Sequence, residues 1–289
     1  MPKTLTDAFE ELLATLVPLR WDPLYAEAYR EDIKDCLTAS FDLYAFSMSG
    51  AFLHDTAIRG YSYLDYIASL DAENFPDDSH QLLTIIVNVL EERFPGAAVM
   101  GHGVVIPQSG DDVRKGIRVV PARLIARTAA GHRVYEVADG EGGWMQASPD
   151  AHHAYISTLD SALEGKLKPL IRLLKAWKYF RQVPISSYYL ELQTVIYAAK
   201  EEMIVYPVDL YHLLDVLWNT QLADLVDQKG IAGRVAARVP RRERKTVLSA
   251  IRTGRYHASR ALEEASRGDI VEAFRNWNRL FNGHFPAYG

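Results

Sequence analysis

The segment from Ser49 to Asp65 constrains the fold of this chain more than any other part of its sequence. An alternating, strand-like run stops at Gly50, and a short helical turn follows it. A second strand pattern, residues 61–70, then brings Asp65 back beside that turn. Successive side chains of a strand point to opposite faces, so positions 63 and 65 share a face. The segment therefore predicts a sheet in which a glycine turn lies next to a carboxylate.

The rest of the chain divides by pattern into two parts. The whole chain has 289 residues, a length that suits one large domain or two lobes, at about 100–200 residues per domain. Up to about residue 140, two helical patterns are followed by short strands and one helix, with Gly and Pro between them. After about residue 150 the pattern is helical. We therefore predict an α+β fold, with a mixed-sheet lobe and N-terminal helices in residues 1–150 and a helical lobe in residues 151–289.

Composition argues against several classes of protein. The net charge of −5 and pI of about 6.0 make a general nucleic-acid binder unlikely, although they leave room for a local basic surface. The basic run of residues 240–245 is more typical of a solvated face than of an RNA or DNA contact. Cys36 is the single cysteine and cannot form an internal disulfide. No apolar run reaches about 18 residues, so we expect a cytoplasmic protein that does not enter a membrane.

The glycine turn and its neighbouring strands resemble the signature of the polymerase-beta-like nucleotidyltransferases. In that signature a Gly-Ser turn precedes an Asp-x-Asp, and a third acid lies on a neighbouring strand. Two Mg²⁺ ions held by carboxylate oxygens stabilise the attacking and leaving oxygens of the transfer. Matched to the signature, Ala51 stands at the serine position, Tyr63 at the first acid and Asp65 at the second. The third acid position falls in residues 116–122 and holds Arg118, so one carboxylate of three remains.

Further segments resemble one branch of that superfamily, the CD-NTases (cGAS/DncV-like nucleotidyltransferases). They occur in the expected order along most of the chain. They are Gly50–Tyr66, Arg118–Ala122, Gly142–Met145 with Ser148–His152, Lys168–Lys178, Pro184–Glu191 and Phe285–Tyr288. The resemblance implies a bilobal nucleotidyltransferase fold with a nucleotide cleft between the lobes, and a second-messenger role, commonly in bacterial anti-phage defence.

The resemblance also implies the roles of several residues. The backbone at Gly50 and Ala51 would approach a triphosphate. Lys175 would reach the triphosphate from the helical lobe, Ser187 would contact phosphate, and Tyr188 would stack on a base. This chain thus retains more of the nucleotide-binding residues of the family pattern than of its metal ligands.

Each of these residues also has a purely structural interpretation. Lys175 could belong to a solvated basic face together with Lys178, and Ser187 and Tyr188 could be a helix cap and a core aromatic. Tyr63 could fill the metal space, and Arg118 could replace the metal charge by pairing with Asp65 or with a phosphate.

Three functions are compatible with the sequence. The first is a pseudoenzyme that binds a nucleotide or a partner protein, needs no metal or other cofactor and transfers nothing. The second is an active enzyme with a rearranged Mg²⁺ site, formed by Asp65 with Asp55 or Asp111. The third is a regulatory subunit with an empty cleft and a protein partner encoded in a defence operon.

Overall fold

The computed structural model describes residues 1–18, 23–107, 116–227 and 231–289, which group into two compact units. The sheet unit contains the described residues of 18–155 together with 231–233. The helical unit contains Met1–Val17 with the described residues of 156–227 and 234–289. The α+β fold predicted from the sequence, a mixed sheet combined with helices, is confirmed.

The sheet unit combines seven strands with helices that cover them. Its strands are β1 (Leu43–Ser49), β2 (Leu64–Leu70), β3 (Ala98–Met100), β4 (Gly103–Ile106), β5 (Ile117–Arg127), β6 (Arg133–Ala138) and β7 (Trp144–Ala147). Its helices are α2 (Pro23–Thr38), α3 (Gly50–Leu53) and α4 (Ser79–Glu91), with a 3-10 turn at Ala72–Asn74. Helix α5 (Pro149–Ala162) begins in this unit and continues into the helical one.

The sheet is mixed because one of its internal pairings is parallel. The strand order is β1-β2-β5-β4-β3, and the far end of β5 also pairs with β6, which pairs with β7. Only β2 and β5 run parallel among these described pairs. Helices α2 and α4 contribute buried Leu37, Leu83 and Ile86 to a core that includes Tyr66 and Ala68 of β2. This apolar layer holds β2 and β5 in the centre of the unit, where the site residues lie.

The helical unit contains six helices within its described residues. They are α1 (Leu5–Leu16), α6 (Leu167–Phe180), α7 (Ser187–Ala198), α8 (Tyr206–Asn219), α9 (Arg244–Ser266) and α10 (Ile270–Leu280), besides the end of α5. A short hairpin, β8 (Leu225–Val226) with β9 (Arg234–Val235), and a 3-10 turn at Arg241–Glu243 complete it. No described helix of either unit combines the length and apolar character needed to cross a membrane.

Helix α1 belongs to the helical unit, whereas the sequence prediction placed it in the sheet lobe. The physical reason is an aromatic cluster that joins the two ends of the chain. The ring of Phe9 lies 5.0 Å from that of Trp277 and 5.0 Å from that of Phe285, in edge-on contacts. All three side chains are buried. Local periodicity predicts such a helix but does not identify the distant helices that cover it.

Candidate functional site

The turn after β1 requires a glycine. Gly50 has φ +64°, a left-handed conformation that other residues rarely adopt, and it opens the short helix α3. A Cβ atom at this position would collide with the Oδ2 atom of Asp65. Ala51 follows in the first turn of α3, and its carbonyl accepts a hydrogen bond from the backbone N–H of Thr56 at 2.8 Å. The predicted approach of the glycine turn to the carboxylate is therefore present.

Asp65 and Arg118 face each other across the parallel pair of strands. They are direct register partners on β2 and β5, and Asp65 is also the register partner of Ser49 on β1. The guanidinium of Arg118 donates from Nε to Oδ1 and from Nη2 to Oδ2 of Asp65, both at 2.8 Å. The side chain of Asp65 is 9% exposed and that of Arg118 is 21% exposed. Such a bidentate pair is the strongest geometry available to arginine and carboxylate.

Tyr63 lies immediately before β2, on the same side as this ion pair. The Arg118 guanidinium carbon lies 5.6 Å from the centre of the Tyr63 ring, within the range of a cation–π contact. The phenol of Tyr63 donates to the sulfur of Met100 at 3.5 Å. The three positions that would bear acids in a metal-dependent relative thus hold an aromatic ring, a carboxylate and a guanidinium, and the guanidinium contacts the other two groups.

Gly103 on β4 makes room for the arginine side chain, and it was not among the residues predicted from the sequence. A Cβ atom there would lie 2.6 Å from the carbonyl oxygen of Val119 and 3.0 Å from Cγ of Arg118. Glycine inside a strand often marks such a close approach. That signal was readable in the sequence, but the neighbour that approaches depends on the pairing of β4 with β5.

The residues at this position do not fit a pair of divalent metal ions. Both carboxylate oxygens of Asp65 accept hydrogen bonds from Arg118. Mg²⁺ needs oxygen ligands, and a guanidinium supplies only donors and positive charge. Within the described part of the chain, Asp65 belongs to no group of three or more side chains able to hold a metal ion. Asp55, one alternative ligand, lies in an exposed turn with φ +56°, and Asp111 lies outside the described residues.

In the helical unit, Lys175 on α6 is buried against Glu191 on α7. The Lys175 Nζ atom donates to Glu191 Oε2 at 2.5 Å, and both side chains are 3% exposed. The interpretation of Lys175 as part of a solvated basic face is therefore wrong, because the apolar face of α6 includes this position. Its role at a triphosphate stays a prediction.

Lys178, one turn further along α6, directs its charge at the start of α7. Its Nζ atom donates to the Ser187 hydroxyl at 2.6 Å and lies 4.4 Å from the centre of the Tyr179 ring. The Tyr179 hydroxyl lies 3.0 Å from the same Ser187 oxygen. These three side chains are partly buried rather than enclosed. The arrangement places a cation and two hydroxyl groups at the first turn of a helix, where backbone N–H groups also favour anions.

Adjacent residues on α7 have separate roles. Ser186, rather than Ser187, is the N-cap, and its hydroxyl accepts from the backbone N–H of Tyr189 at 3.3 Å. Tyr188 keeps 36% of its surface exposed, so it is not a core aromatic residue. Close packing around the phenol, with the carboxylates of Asp227 and Glu191 nearby, raises the pKa of Tyr188 above its ordinary value. Tyr188 is therefore a neutral, accessible aromatic ring beside Ser187.

No protein-family model matches this chain. A probable cyclic nucleotide synthase of Bacillus cereus is 26% identical over an alignment of 179 residues, and the match covers 59% of this chain and 51% of that protein. The match thus spans about half the length of this curated relative. In structure, Escherichia coli CdnC with ATP has a TM-score of 0.73 at 16% identity, over 97% of this chain and 98% of that chain.

Two further structures show the same likeness. The complex of CdnC with a HORMA protein has a TM-score of 0.69 at 17% identity, over 97% of this chain and 98% of that chain. The CD-NTase CdnG of Bradyrhizobium diazoefficiens in complex with GTP has a TM-score of 0.63 at 14% identity, over 96% and 99%. The resemblance predicted from the sequence is confirmed, and this chain has the nucleotidyltransferase fold of the CD-NTases.

Proposed function

We propose that this chain is a catalytically degenerate CD-NTase-like protein that binds a nucleotide and does not transfer it. The observation that carries the proposal is the bidentate pair between Arg118 and Asp65. In an active relative the carboxylates at these positions would hold metal ions. Here the carboxylate that remains is already neutralised by a cation of the same chain.

Electrostatics explains why the pair opposes metal binding. A dication could use Asp65 only after displacing a permanently charged guanidinium that donates two hydrogen bonds. After displacement, that guanidinium would still repel the ion from the neighbouring strand. Low exposure at Asp65 strengthens both effects, because charges interact more strongly where water is excluded. Nucleotidyl transfer that depends on two metals is therefore disfavoured at this position.

The helical unit supports the binding part of the proposal. Lys178 and Ser187 offer a cation and a hydroxyl group to a phosphate, and exposed Tyr188 offers a ring to a base. ATP and GTP are the nucleotides bound by the relatives CdnC and CdnG. Because the cation belongs to the protein, we expect nucleotide binding that does not depend on Mg²⁺.

A transfer assay tests the catalytic part. The purified chain is incubated with labelled nucleoside triphosphates and Mg²⁺ or Mn²⁺, and we expect no cyclic or linear oligonucleotide. The alternative is an active enzyme with a rearranged metal site, and the similarity to a probable cyclic nucleotide synthase favours it. Robust product that disappears in Asp65→Ala would establish that alternative and end the pseudoenzyme proposal.

A thermal-shift screen tests the binding part. Nucleotides and cyclic dinucleotides are added with and without Mg²⁺, and ligand at about 100 times its dissociation constant should add about 2.7 kcal/mol. Ser187→Ala should lose the shift, whereas Ser186→Ala should lower the stability of the free protein and keep the shift. A shift that appears only with Mg²⁺ would contradict the proposal.

A restoration variant tests the electrostatic argument directly. Tyr63→Asp combined with Arg118→Glu returns carboxylates to the two altered positions. We expect this variant to gain Mg²⁺-dependent stabilisation by nucleoside triphosphate, which the parent chain lacks. The single change Tyr63→Asp is the matched control, because it adds a carboxylate while the guanidinium stays.

A regulatory subunit is the second candidate, and the complex between CdnC and a HORMA protein favours it. In that case the chain would form a stable complex with a protein encoded beside its own gene, and no nucleotide would change its stability. Co-expression followed by size-exclusion chromatography separates the two candidates. A chain that stays alone and binds a nucleotide tightly would exclude this second candidate.

We also infer a role in anti-phage defence signalling, on the resemblance to CD-NTases alone. Phage plaque counts on host cells with and without the gene test it. Equal counts across a diverse phage panel would argue against the role without affecting the binding proposal.

A further inference from the structure

Positive charge is concentrated in one short part of the helical unit. Residues 234–252, from β9 into α9, contain seven Lys and Arg residues and one acid, a formal charge of +6. The whole chain has a net charge of −5. The remaining residues are therefore strongly acidic, and this segment is a local exception to the charge that argues against general nucleic-acid binding.

Four exposed side chains of this segment and the next turn of α9 form what we call the basic stripe: Arg241, Lys245, Arg252 and Tyr256. Positions 245, 252 and 256 are seven and four residues apart, which places them on one face of α9. Val247, Ile251, Gly254 and Ala258 are buried on the opposite side. Tyr256 is 59% exposed, and positions 245 and 256 are about 16 Å apart along the helix.

The basic residues at the start of α9 lie where positive charge destabilises a helix that has no bound partner. The N-terminal end of a helix carries partial positive charge, so basic residues in its first turn are destabilising. Arg244 and Lys245 open α9, and Arg241 and Arg242 directly precede it. The N-cap residue Glu243 makes no side-chain hydrogen bond to the exposed backbone N–H groups. An anionic partner would neutralise the cations and the helix end together.

We propose that the basic stripe binds single-stranded nucleic acid. Arginine matches phosphate with two parallel hydrogen bonds. The four basic residues around the start of α9 are Arg241, Arg242, Arg244 and Lys245, and three of them are arginine. The helical part of the stripe extends about 16 Å, which is long enough to contact more than one phosphate of a strand. Tyr256 lies in line with the cations and presents a ring on which a base stacks. An acidic protein segment would use the cations and leave this aromatic ring without a role.

Fluorescence anisotropy of the full chain with labelled 20-nucleotide single strands tests the proposal, with RNA and DNA as separate arms. The double variant Lys245→Glu with Arg252→Glu should bind at least tenfold more weakly. The slope of log affinity against log salt should fall by about 1.4, because two phosphate contacts are lost at about 0.7 each. Lys3→Glu with Lys200→Glu makes the same charge change at exposed positions elsewhere in the helical unit and should bind like the parent.

The aromatic residue separates nucleic acid from an acidic protein. Tyr256→Ala should weaken binding of the single strands about fivefold or more, and Tyr256→Phe should retain it. Equal losses in the stripe and control charge variants would overturn the proposal, since they would indicate a diffuse field. It would also be overturned if a poly-glutamate peptide of equal length competed as well as the oligonucleotide, which would identify the stripe as a protein-binding surface.

Discussion

Comparable charged residues differ in their partners and in their exposure between the two units. In the sheet unit, Arg118 and Asp65 form a bidentate pair that keeps some exposure, at 21% and 9% of the side chains. In the helical unit, Lys175 and Glu191 form a single contact that is almost completely enclosed, at 3% each. One turn away, the partly exposed Lys178 donates a hydrogen bond to the hydroxyl group of Ser187. A residue matched to a binding motif by position can therefore be enclosed in an internal ion pair, while a neighbour on the same helix keeps more exposure.

The difference in exposure should also change how much each ion pair contributes to stability. Removing one partner of an enclosed ion pair leaves an uncompensated charge away from water, whereas partial exposure lets solvent compensate. Variants at enclosed positions should therefore lose more stability than variants at exposed positions.

The largest effect is expected for Lys175→Ala. It leaves the Glu191 carboxylate buried without its cation, which should lower the free energy of unfolding by about 3–5 kcal/mol. Lys178→Ala removes a hydrogen bond at a partly exposed position and should cost about 1 kcal/mol. Urea denaturation of both variants measures the difference. Similar losses would show that enclosure does not distinguish the two lysines.

Arg118→Ala should follow, at about 2–3 kcal/mol, because Asp65 loses two charge-assisted hydrogen bonds. Arg123→Ala is the matched control on the same strand, since Arg123 pairs with Glu136 at 33% and 24% exposure. That more exposed pair should contribute less than about 1 kcal/mol. Thermal denaturation ranks the two variants, and a larger loss in Arg123→Ala would contradict the comparison.

Gly50→Ala isolates the close approach between the turn and Asp65. Alanine in a left-handed conformation costs about 1–2 kcal/mol, and the collision with the carboxylate adds to it. Gly101→Ala has nearly the same φ, +65° against +64°, with no atom within 4 Å of the new Cβ. The difference between the two unfolding free energies therefore reports the collision alone. Equal losses would mean that the Asp65 side chain moves aside without cost.

The smallest effect concerns pH. Burial between α9 and α10, opposed by a hydrogen bond with Asn276 and assisted by Arg279 and Arg181, lowers the pKa of His257 below its ordinary value of 6.5. The unfolded chain then binds a proton more readily than the folded chain does, so the stabilisation is complete above pH 6.5 and decreases below it. Denaturation at pH 5.5 and 7.5 should show a smaller pH difference for His257→Gln than for the parent. An unchanged difference would assign the effect to other groups.

Much of the fold was predictable because its signals are local. Alternation and glycine punctuation predicted β1 and β2, and apolar spacing predicted one helix among the later strands, observed as α4, and a helical second half of the chain. The shortest strands, such as β3 and β8, were not predicted, because two or three residues contain too little periodicity. Helix α1 was predicted as a helix, but its unit depends on aromatic residues at the other end of the chain.

The candidate site was predictable in its residue types and less so in its contacts. The sequence indicated that Tyr63 and Arg118 stand where acids are expected, and one hypothesis paired Arg118 with Asp65 or with a phosphate. It did not indicate that Glu191 would engage Lys175, or that Met100 would accept a hydrogen bond from Tyr63. These partners lie on separate elements whose packing is set by the whole core.

By itself, the sequence determined the α+β fold, the glycine turn beside a carboxylate, and the presence of Tyr63 and Arg118 where the resemblance implies acids. Only the tertiary structure decided that Arg118 meets Asp65 with both of its hydrogen bonds, because the parallel register of β2 and β5 aligns residues 53 positions apart. The structure also decided that Lys175 is enclosed and Lys178 is not. A side chain's charge is a property of its residue type, but its partner and its access to water depend on long-range packing.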